Sequence, residues 1–186
     1  MSEIKPFYGI RFKQGDLSRL ICPPYDIISE EQRKRLLGLS KHNFVRVESP
    51  RKIFGFEKED KATAASSAKT FKSWLKSGVL VCEKKPSFYV YTQEFELKGK
   101  KFKRTGFFAT LRLEKNKIFD HEKIVQKPLI GRLELMRKTG GANISPIFCL
   151  FPDKKGEIAR LVGNMTTTNN GAFCGKFEDA DGVSHK

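Results

Sequence analysis

The segment HEKIVQK, residues 121–127, places one carboxylate among two lysines and an imidazole. It stands immediately before "PLIGRLELMRKTG", whose apolar spacings of four and three residues predict an amphipathic helix. A carboxylate is favourable at a helix start because the N-terminal end is positive. The same arrangement could serve a phosphate-bearing substrate. Both interpretations stay open for His121, Glu122, Lys123 and Lys127.

A second candidate segment, DADGVSHK, occupies residues 179–186. Asp-Ala-Asp-Gly predicts a tight turn, which is common in proteins without any catalytic purpose. If the turn opens a helix, N–H groups exposed there would attract phosphate, and His185 and Lys186 would add to this attraction. Gly182 would let the backbone come close to the phosphate. Asp181 could orient a hydroxyl or hold a magnesium ion.

Asp26 and Arg132 complete the candidate set. Asp26 ends a Pro-Pro-Tyr-Asp motif, whose prolines exclude helix and fix a bend, and we expect a pocket role for its carboxylate. Arg132, on the helix after HEK, could reach a phosphate or could pair with Glu134 or Asp120. Neither GxxxxGK[ST] nor GxGxxG occurs, so a nucleotide would have to be held without these glycine-rich loops.

Length and charge limit the classes of protein. A chain of 186 residues, 39 % hydrophobic and 31 % charged, fits one globular domain with a core of its own. The net charge of +15 favours anionic partners such as nucleotides or nucleic acids. The dense basic run "KGKKFKR", residues 98–104, is predicted to be a hairpin tip with Gly99 in the turn. Any nucleic-acid binding there should be weak and not sequence-specific.

Compartment and cysteine usage agree with a cytoplasmic protein. No apolar run approaches the roughly 20 residues of a membrane span, and the N-terminus lacks the apolar segment of a signal peptide. We therefore expect no membrane partner. The cysteines are too widely spaced for a zinc site or a disulfide framework, and we expect them to be small core residues. They are Cys22, Cys82, Cys149 and Cys174.

The element pattern predicts an α+β fold with a mixed, largely antiparallel sheet and two or three packed helices. A capping box at Ser29 starts a helix to about Leu37, and residues 57–76 form another. "SFYVYTQEFEL" and "KFKRTGFFATLRL" form a hairpin, "HNFVRV" a short strand and "SPIFCLF" a buried strand. We expect one domain over 1–186, with an α/β scaffold at 1–80 and a strand-rich segment carrying the site at 81–186. Because the chain stops just after a turn, we expect it to be the N-terminal part of a longer protein.

Several segments together resemble the domain-of-unknown-function family 1015. The stretches "CPPYDIISEEQ", "NFVRVESP", "DHEK", "GRLELM", "GANISPIFCLF" and "DADGVSHK" match the family in order and span essentially the whole chain. The family pattern has a threonine after His-Glu-Lys and an aspartate before the arginine of the following helix. Here those positions are Ile124 and Gly131. Both replacements remove polar groups, so a site common to the family could be altered in this chain.

A second, local resemblance implies a reaction. "HEKIVQKPL" is similar to the segment that carries the catalytic glutamate in archaeal free-serine kinases of the ParB/sulfiredoxin-like fold. Those kinases also carry Asp-Gly-x-His-Arg at a helix entrance, which "DGVSHK" resembles with one extra residue and Lys186 in place of arginine. The resemblance implies ParB/sulfiredoxin-like elements in the C-terminal half. It also implies that Glu122 takes the proton of a serine hydroxyl while ADP or ATP, with Mg²⁺ at Asp181, supplies the phosphate.

The sequence is therefore compatible with three functions. The first is a small-molecule kinase that phosphorylates free serine or a similar alcohol. The second is a ParB-like nucleic-acid-associated protein, which the basic run and its Phe102 favour. The third is a non-catalytic nucleotide-binding or regulatory domain, which the residues at 124 and 131 favour.

Overall fold

The computed structural model describes residues 2–49, 59–120, 126–144, 146–167, 175–179 and 182–186. Within these ranges runs of helices and runs of antiparallel strands follow one another, which confirms the predicted α+β class. The helices are α1 (Leu17–Leu20), α2 (Glu30–Leu39), α3 (Val45–Glu48), α4 (Glu59–Lys76), α5 (Gln126–Thr139) and α6 (Glu157–Thr167). The strands are β1 (Ile4–Lys5), β2 (Ile10–Phe12), β3 (Leu80–Cys82), β4 (Tyr89–Leu97), β5 (Lys100–Phe108), β6 (Thr110–Leu111), β7 (Phe177–Glu178) and β8 (Ser184–His185).

The chain divides into two compact units that interleave along the sequence. We call one the helical unit, made of Ile10–Cys82 and Phe119–Ile147, and the other the sheet unit, made of Met1–Gly9, Glu83–Ile118 and Phe148–Lys186. Neither unit coincides with the segments 1–80 and 81–186 expected from the sequence. None of the helices in the described ranges is both long enough and apolar enough to cross a membrane.

The helical unit is built around α4. The buried rings of Phe71 and Trp74 pack with Val47 and Leu80, which come from α3 and β3. Helix α4 also packs along α5, where it places Ala64 and Ala68 against the buried Leu135. Burying these apolar side chains is the main free-energy gain that fixes α5 in place.

The sheet unit is built around the hairpin of β4 and β5. Its two-residue turn has positive φ at Lys98 (52°) and Gly99 (72°), the conformation that matches the twist of paired strands. The register is regular from Tyr89↔Phe108 to Leu97↔Lys100, as the sequence predicted. Strand β8 extends this sheet between β4 and β7, giving the antiparallel order β5-β4-β8-β7. Helix α6 packs against the hairpin.

Some local predictions are confirmed. The hydroxyl of Ser29 accepts a hydrogen bond from the backbone N–H of Gln32 at 3.1 Å, as an N-cap should. The helix predicted around Trp74 is α4, and the apolar stretch after HEK forms α5.

The strand predicted at "HNFVRV" is wrong, because residues 45–48 form α3. The reason is the fully buried Asn43, whose side-chain oxygen accepts from the Val45 N–H at 3.0 Å and supports a helical start. Its amide nitrogen also donates to the carbonyls of Arg19 and Ile21. Because the buried Asn43 side chain both donates and accepts hydrogen bonds, it fixes the local backbone. These bonds, and not the alternation of apolar residues, decide that the segment is helical.

Two burial predictions are also wrong. The stretch 146–151 contains no strand, and it exposes Ile147, Phe148, Leu150 and also Cys149. In α5 the apolar residues spaced by four and three positions would form the inward face of an amphipathic helix. They are Leu129, Leu133 and Met136, which are 46, 42 and 38 % exposed, whereas Leu135 is buried. The helix is correct but its inward face is rotated, because α4 sets that face and the periodicity alone cannot choose among neighbouring apolar stripes.

Candidate functional site

The Pro-Pro-Tyr-Asp motif forms a turn, with the Ile27 N–H donating to the Pro24 carbonyl at 3.2 Å. The prolines hold the chain out of helix and place Tyr25 and Asp26 in the middle of the turn. Asp26 is exposed, whereas Tyr25 is partly buried. The motif therefore presents one carboxylate to solvent and directs one ring into the helical unit.

Arg132 joins this turn to α5 and α3. Its guanidinium carbon lies 3.6 Å from the centroid of the Tyr25 ring, a close cation–π contact. Its Nη1 lies 3.2 Å from Oε2 of Glu48, and its Nη2 donates to the Glu48 carbonyl at 3.1 Å. The other carboxylate oxygen of Glu48 accepts from the Tyr25 N–H at 3.3 Å. These contacts tie three segments of the helical unit together through one buried ion pair.

Cys22 lies beside this ion pair. Burial raises the pKa of the Cys22 thiol strongly, the Glu48 carboxylate raises it further, and the Arg132 cation opposes both effects. A thiol held in its neutral form is a poor nucleophile and a poor metal ligand. Cys22 therefore has the environment of a structural residue, as the sequence predicted. Cys82 and Cys149 are exposed, so the prediction of core cysteines is wrong for these two.

His185 lies in the sheet unit, and both of its ring nitrogens have partners. Nε2 is 2.9 Å from Oδ2 of Asp179, and Nδ1 is 2.6 Å from the hydroxyl of Tyr91. The ring is 7 % exposed and stacks on Phe177 at 4.6 Å between centroids. A phosphate-binding role for His185 would therefore require one of these hydrogen bonds to be exchanged.

Tyr91 stands at the more open end of this chain of polar groups. Burial raises the pKa of its hydroxyl, and Asp179 raises it as well, whereas Arg104 and a hydrogen bond from Gln93 lower it. The hydroxyl therefore stays protonated at neutral pH and can donate or accept a hydrogen bond. The Tyr91–His185–Asp179 chain could pass a proton between its members, but the described geometry contains no reacting group beside it.

The turn before β8 differs from the sequence prediction. Gly182 has φ of +76°, and its N–H donates to the Asp179 carbonyl at 3.2 Å. After this turn the chain enters strand β8, so the prediction that His185 and Lys186 open a helix is wrong. The backbone of Lys186 pairs in both directions with Thr92 of β4, at 2.7 and 2.9 Å. Pairing with β4 decides the conformation, and a partner 94 positions away cannot be recognised from a local sequence pattern.

The remaining candidates cannot be placed. His121, Glu122, Lys123 and Asp181 lie outside the described residues, and Lys127 lies in the first turn of α5 with its side chain outside the description. Asp26 and Arg132 fall in the helical unit, and Gly182, His185 and Lys186 fall in the sheet unit. Across the described ranges no three His, Cys, Asp or Glu side chains come together to hold a metal ion. The magnesium role of Asp181 therefore stays a prediction.

The sequence profile of the family described as "Protein of unknown function (DUF1015)" matches residues 4–186. The chain belongs to the DUF1015 family. No curated protein and no solved structure matches it significantly. The resemblance predicted from the ordered segments is thus confirmed over the whole chain, whereas the local resemblance to ParB-like serine kinases stays a prediction.

The contacts of Arg132 with Tyr25 and Glu48, which sequence reasoning missed, join three of the segments that resemble the DUF1015 family. Tyr25 belongs to the first recognisable DUF1015 segment, "CPPYDIISEEQ", and Arg132 belongs to "GRLELM", which follows HEK. Glu48 closes the ion pair from "NFVRVESP", a third family segment. Tyr25 was visible in its motif, but nothing local indicates that Glu48 pairs with a residue 84 positions later.

A cleft of about 550 Å³ lies elsewhere in the helical unit of this DUF1015 protein. It is lined by residues 12–16, 19–20, 39–40, 42 and 77–79. None of the described candidate residues lines this cleft. Its polar side chains include Arg19, whose guanidinium already donates to the Leu39 carbonyl, and Asp16, which caps α1. These two charged side chains are therefore already engaged within the protein.

Proposed function

We propose that this DUF1015 protein is a cytoplasmic phosphotransferase that transfers a phosphoryl group from ADP or ATP to the hydroxyl of free serine or a similar small alcohol. The observation that supports the proposal best is the contact of Arg132 with Tyr25 and Glu48. It fixes the helix that begins directly after the HEK motif to the Pro-Pro-Tyr-Asp turn. The Pro-Pro-Tyr-Asp turn and the helix that follows HEK therefore pack together.

The position of the motif relative to α5 suits phosphate binding. Helix α5 begins at Gln126, directly after residues 121–125, and runs for 14 residues. The N–H groups of its first turn and the positive end of its dipole favour an anion. Lys123 and Lys127 would add charge, His121 would orient the carboxylate or the phosphate, and the net charge of +15 would attract a nucleotide.

In the proposed reaction the serine hydroxyl oxygen attacks the terminal phosphorus of the nucleotide. A bond forms between that oxygen and phosphorus, the bond to the bridging oxygen breaks, and AMP leaves from ADP or ADP leaves from ATP. Glu122 takes the hydroxyl proton. Asp26, exposed at the turn that Arg132 holds, could orient the acceptor, and Arg132 acts as a positioning residue because its guanidinium is committed to Glu48 and Tyr25.

The test is serine-dependent formation of phosphoserine with ADP and with ATP, with and without Mg²⁺. Glu122→Gln keeps the size of the side chain but removes the base, so we expect turnover to fall by roughly 10²–10⁴ with little change in nucleotide affinity or melting temperature. Glu134→Gln is the matched control. Glu134 also lies on α5, and its carboxylate pairs with Arg137 of the same helix at 3.2 Å. Full activity of the position-122 variant, or no transfer to any hydroxyl amino acid by the parent, would contradict the proposal.

A non-catalytic nucleotide-binding domain is the second candidate. It is favoured by Ile124 and Gly131, which replace the threonine and the aspartate of the family pattern. If this candidate is correct, calorimetry should show saturable nucleotide binding, and neither the parent nor Glu122→Gln should form phosphoserine. Restoring the two polar residues with Ile124→Thr and Gly131→Asp would then raise activity if their loss is what silences the site.

A further inference from the structure

The two faces of the β4–β5 hairpin differ in chemistry because side chains alternate along each strand. One face carries Glu94 and Glu96 opposite Lys103 and Lys101, and the Glu94–Lys103 pair is 3.4 Å apart. Its charges therefore cancel. We call the other side the aromatic face. It carries Tyr89, Tyr91, Gln93, Phe95, Leu97, Lys100, Phe102, Arg104 and Phe108.

The aromatic face exposes apolar rings to solvent. Phe95 and Phe102 are directly paired across the strands and stack at 5.7 Å between centroids with 20° between their planes. Phe102 is 44 % exposed and Phe108 is 37 % exposed, although an apolar ring gains free energy from burial. On the same side of the sheet the rings of Phe177 and His185 stack on each other, but His185 is buried. The exposed rings of this face therefore lie on the hairpin itself.

Arg104 is held in place on this face by hydrogen bonds to Gln93. Its Nε donates to Oε1 of Gln93 at 3.0 Å, and its Nη2 donates to the same oxygen. The guanidinium carbon lies 5.0 Å from the Phe148 ring and 5.8 Å from the Phe95 ring. A guanidinium fixed in this way can stack on a planar ligand and can also face an anion.

The charges on the aromatic face have one sign. Lys100 and Arg104 lie on it, and neither β4 nor β5, both described throughout, contributes a carboxylate to it. Lys98 adds a further cation at the hairpin turn. A protein partner with an ordinary apolar surface would leave these cations without counter-charge. A ligand that offers planar rings and anions at regular intervals satisfies both features.

We propose that the aromatic face binds single-stranded nucleic acid, with bases stacked on Phe102 and on the Arg104 guanidinium and phosphates facing Lys98 and Lys100. Proteins that bind single strands combine stacking rings with a cationic track in this way. A duplex keeps its bases stacked inside and cannot use the rings. The aromatic face therefore distinguishes single strands from duplexes and does not distinguish sequences. This agrees with the weak, sequence-independent binding expected for the basic run.

The test is fluorescence anisotropy with a labelled 12-nucleotide oligouridylate, the corresponding oligodeoxythymidylate and a DNA duplex of the same length, across a salt series. We expect either single strand to bind at least tenfold more tightly than the duplex at equal salt. The ratio of the two single strands tells whether RNA or DNA is preferred. Phe102→Leu, which keeps apolar bulk but removes the ring, should weaken single-strand binding by about 5- to 100-fold without changing the salt slope.

Two further variants separate stacking from charge. Arg104→Lys keeps the charge but loses the planar guanidinium, and it should also weaken binding at an unchanged salt slope. Lys101→Ala, on the opposite face of the same strand, is the matched control and should change affinity less than about threefold. Circular dichroism melting checks that each variant is folded. Equal affinity for strand and duplex, or parent-like binding by both Phe102→Leu and Arg104→Lys, would overturn the proposal. So would ring-dependent self-association in sedimentation, with no nucleic acid bound.

Discussion

The two units of this protein both use a polar cluster to join distant parts of the chain, but the clusters are of different kinds. In the helical unit the cluster is an ion pair, Arg132 with Glu48, whose side chains are 23 and 6 % exposed. In the sheet unit it is a chain of hydrogen bonds from Tyr91 through His185 to Asp179. Arginine keeps its charge at every accessible pH, whereas a tyrosine hydroxyl loses its proton at high pH.

This difference suggests that the two clusters serve different purposes. A buried ion pair stabilises little compared with apolar packing, but it is very costly to break, so it enforces one arrangement of α5 relative to the Pro-Pro-Tyr-Asp turn. A chain of neutral or singly charged hydrogen-bonding groups is less costly to alter and responds to pH. We expect the first cluster to fix geometry and the second to tolerate change.

Removing Arg132 should have the largest effect. Arg132→Ala leaves the Glu48 carboxylate buried without its cation, and we expect it to lower the free energy of unfolding by about 3 kcal/mol, the low end of the range for a broken buried pair because Arg132 is partly exposed. Urea denaturation would measure this. Arg137→Ala is the control, because Arg137 is an exposed residue on the same helix that pairs with Glu134, and its loss should cost less than about 1 kcal/mol. Equal losses in the two variants would remove the distinction between the clusters.

Removing His185 should have a smaller effect. His185→Ala loses two hydrogen bonds and the stack on Phe177, and we expect the free energy of unfolding to fall by about 2 kcal/mol. Lys186→Ala is the control, because Lys186 pairs with Thr92 through its backbone and an alanine keeps those bonds. If the histidine variant unfolds at the same urea concentration as the parent, the cluster does not hold β8.

The smallest effect concerns pH. Because burial raises the pKa of Tyr91, the folded state favours the protonated phenol. Its contribution to stability is fully present below the ordinary tyrosine pKa of about 10 and is lost as the pH rises through the higher folded value. We expect absorbance at 295 nm to show a phenol that titrates late and that disappears in Tyr91→Phe. Superimposable titrations of parent and variant would show that Tyr91 is not the late group.

The predictable parts of the fold are those that depend on near neighbours. The hairpin followed from alternating residues around Lys98 and Gly99, and the start of α2 followed from Ser29 and Gln32 three residues apart. The strand expected at 42–47 failed because Asn43 makes its hydrogen bonds to Arg19 and Ile21, more than 20 residues earlier. Likewise the apolar run at 146–151 predicted burial, although an apolar run becomes buried only where the fold supplies a surface to cover it.

The candidate site was predictable to the same limited extent. Arg132 could be selected as a functional cation because of its place after HEK, but its partner Glu48 could not. His185 could be selected because of its motif, but its strand, its stack on Phe177 and its bond to Tyr91 depend on β4, which lies more than 90 residues earlier. Residue type and order along the chain thus indicate which side chains are candidates for a functional role. Only long-range pairing tells what each of them contacts.

The position of β8 in the sheet has a consequence for synthesis on the ribosome. Gln93 pairs with His185, so β4 must wait until residue 185 has emerged before its second edge is filled. The hairpin of β4 and β5 closes a loop of two residues and can form early, whereas closing the loop to β8 carries a larger entropic cost. The residues of the helical unit have all emerged once Ile147 has left the ribosome, whereas those of the sheet unit extend to Lys186. We therefore infer that the helical unit folds first and that the edge of β4 stays open for pairing until β8 has emerged, an interval that favours misassociation with other chains.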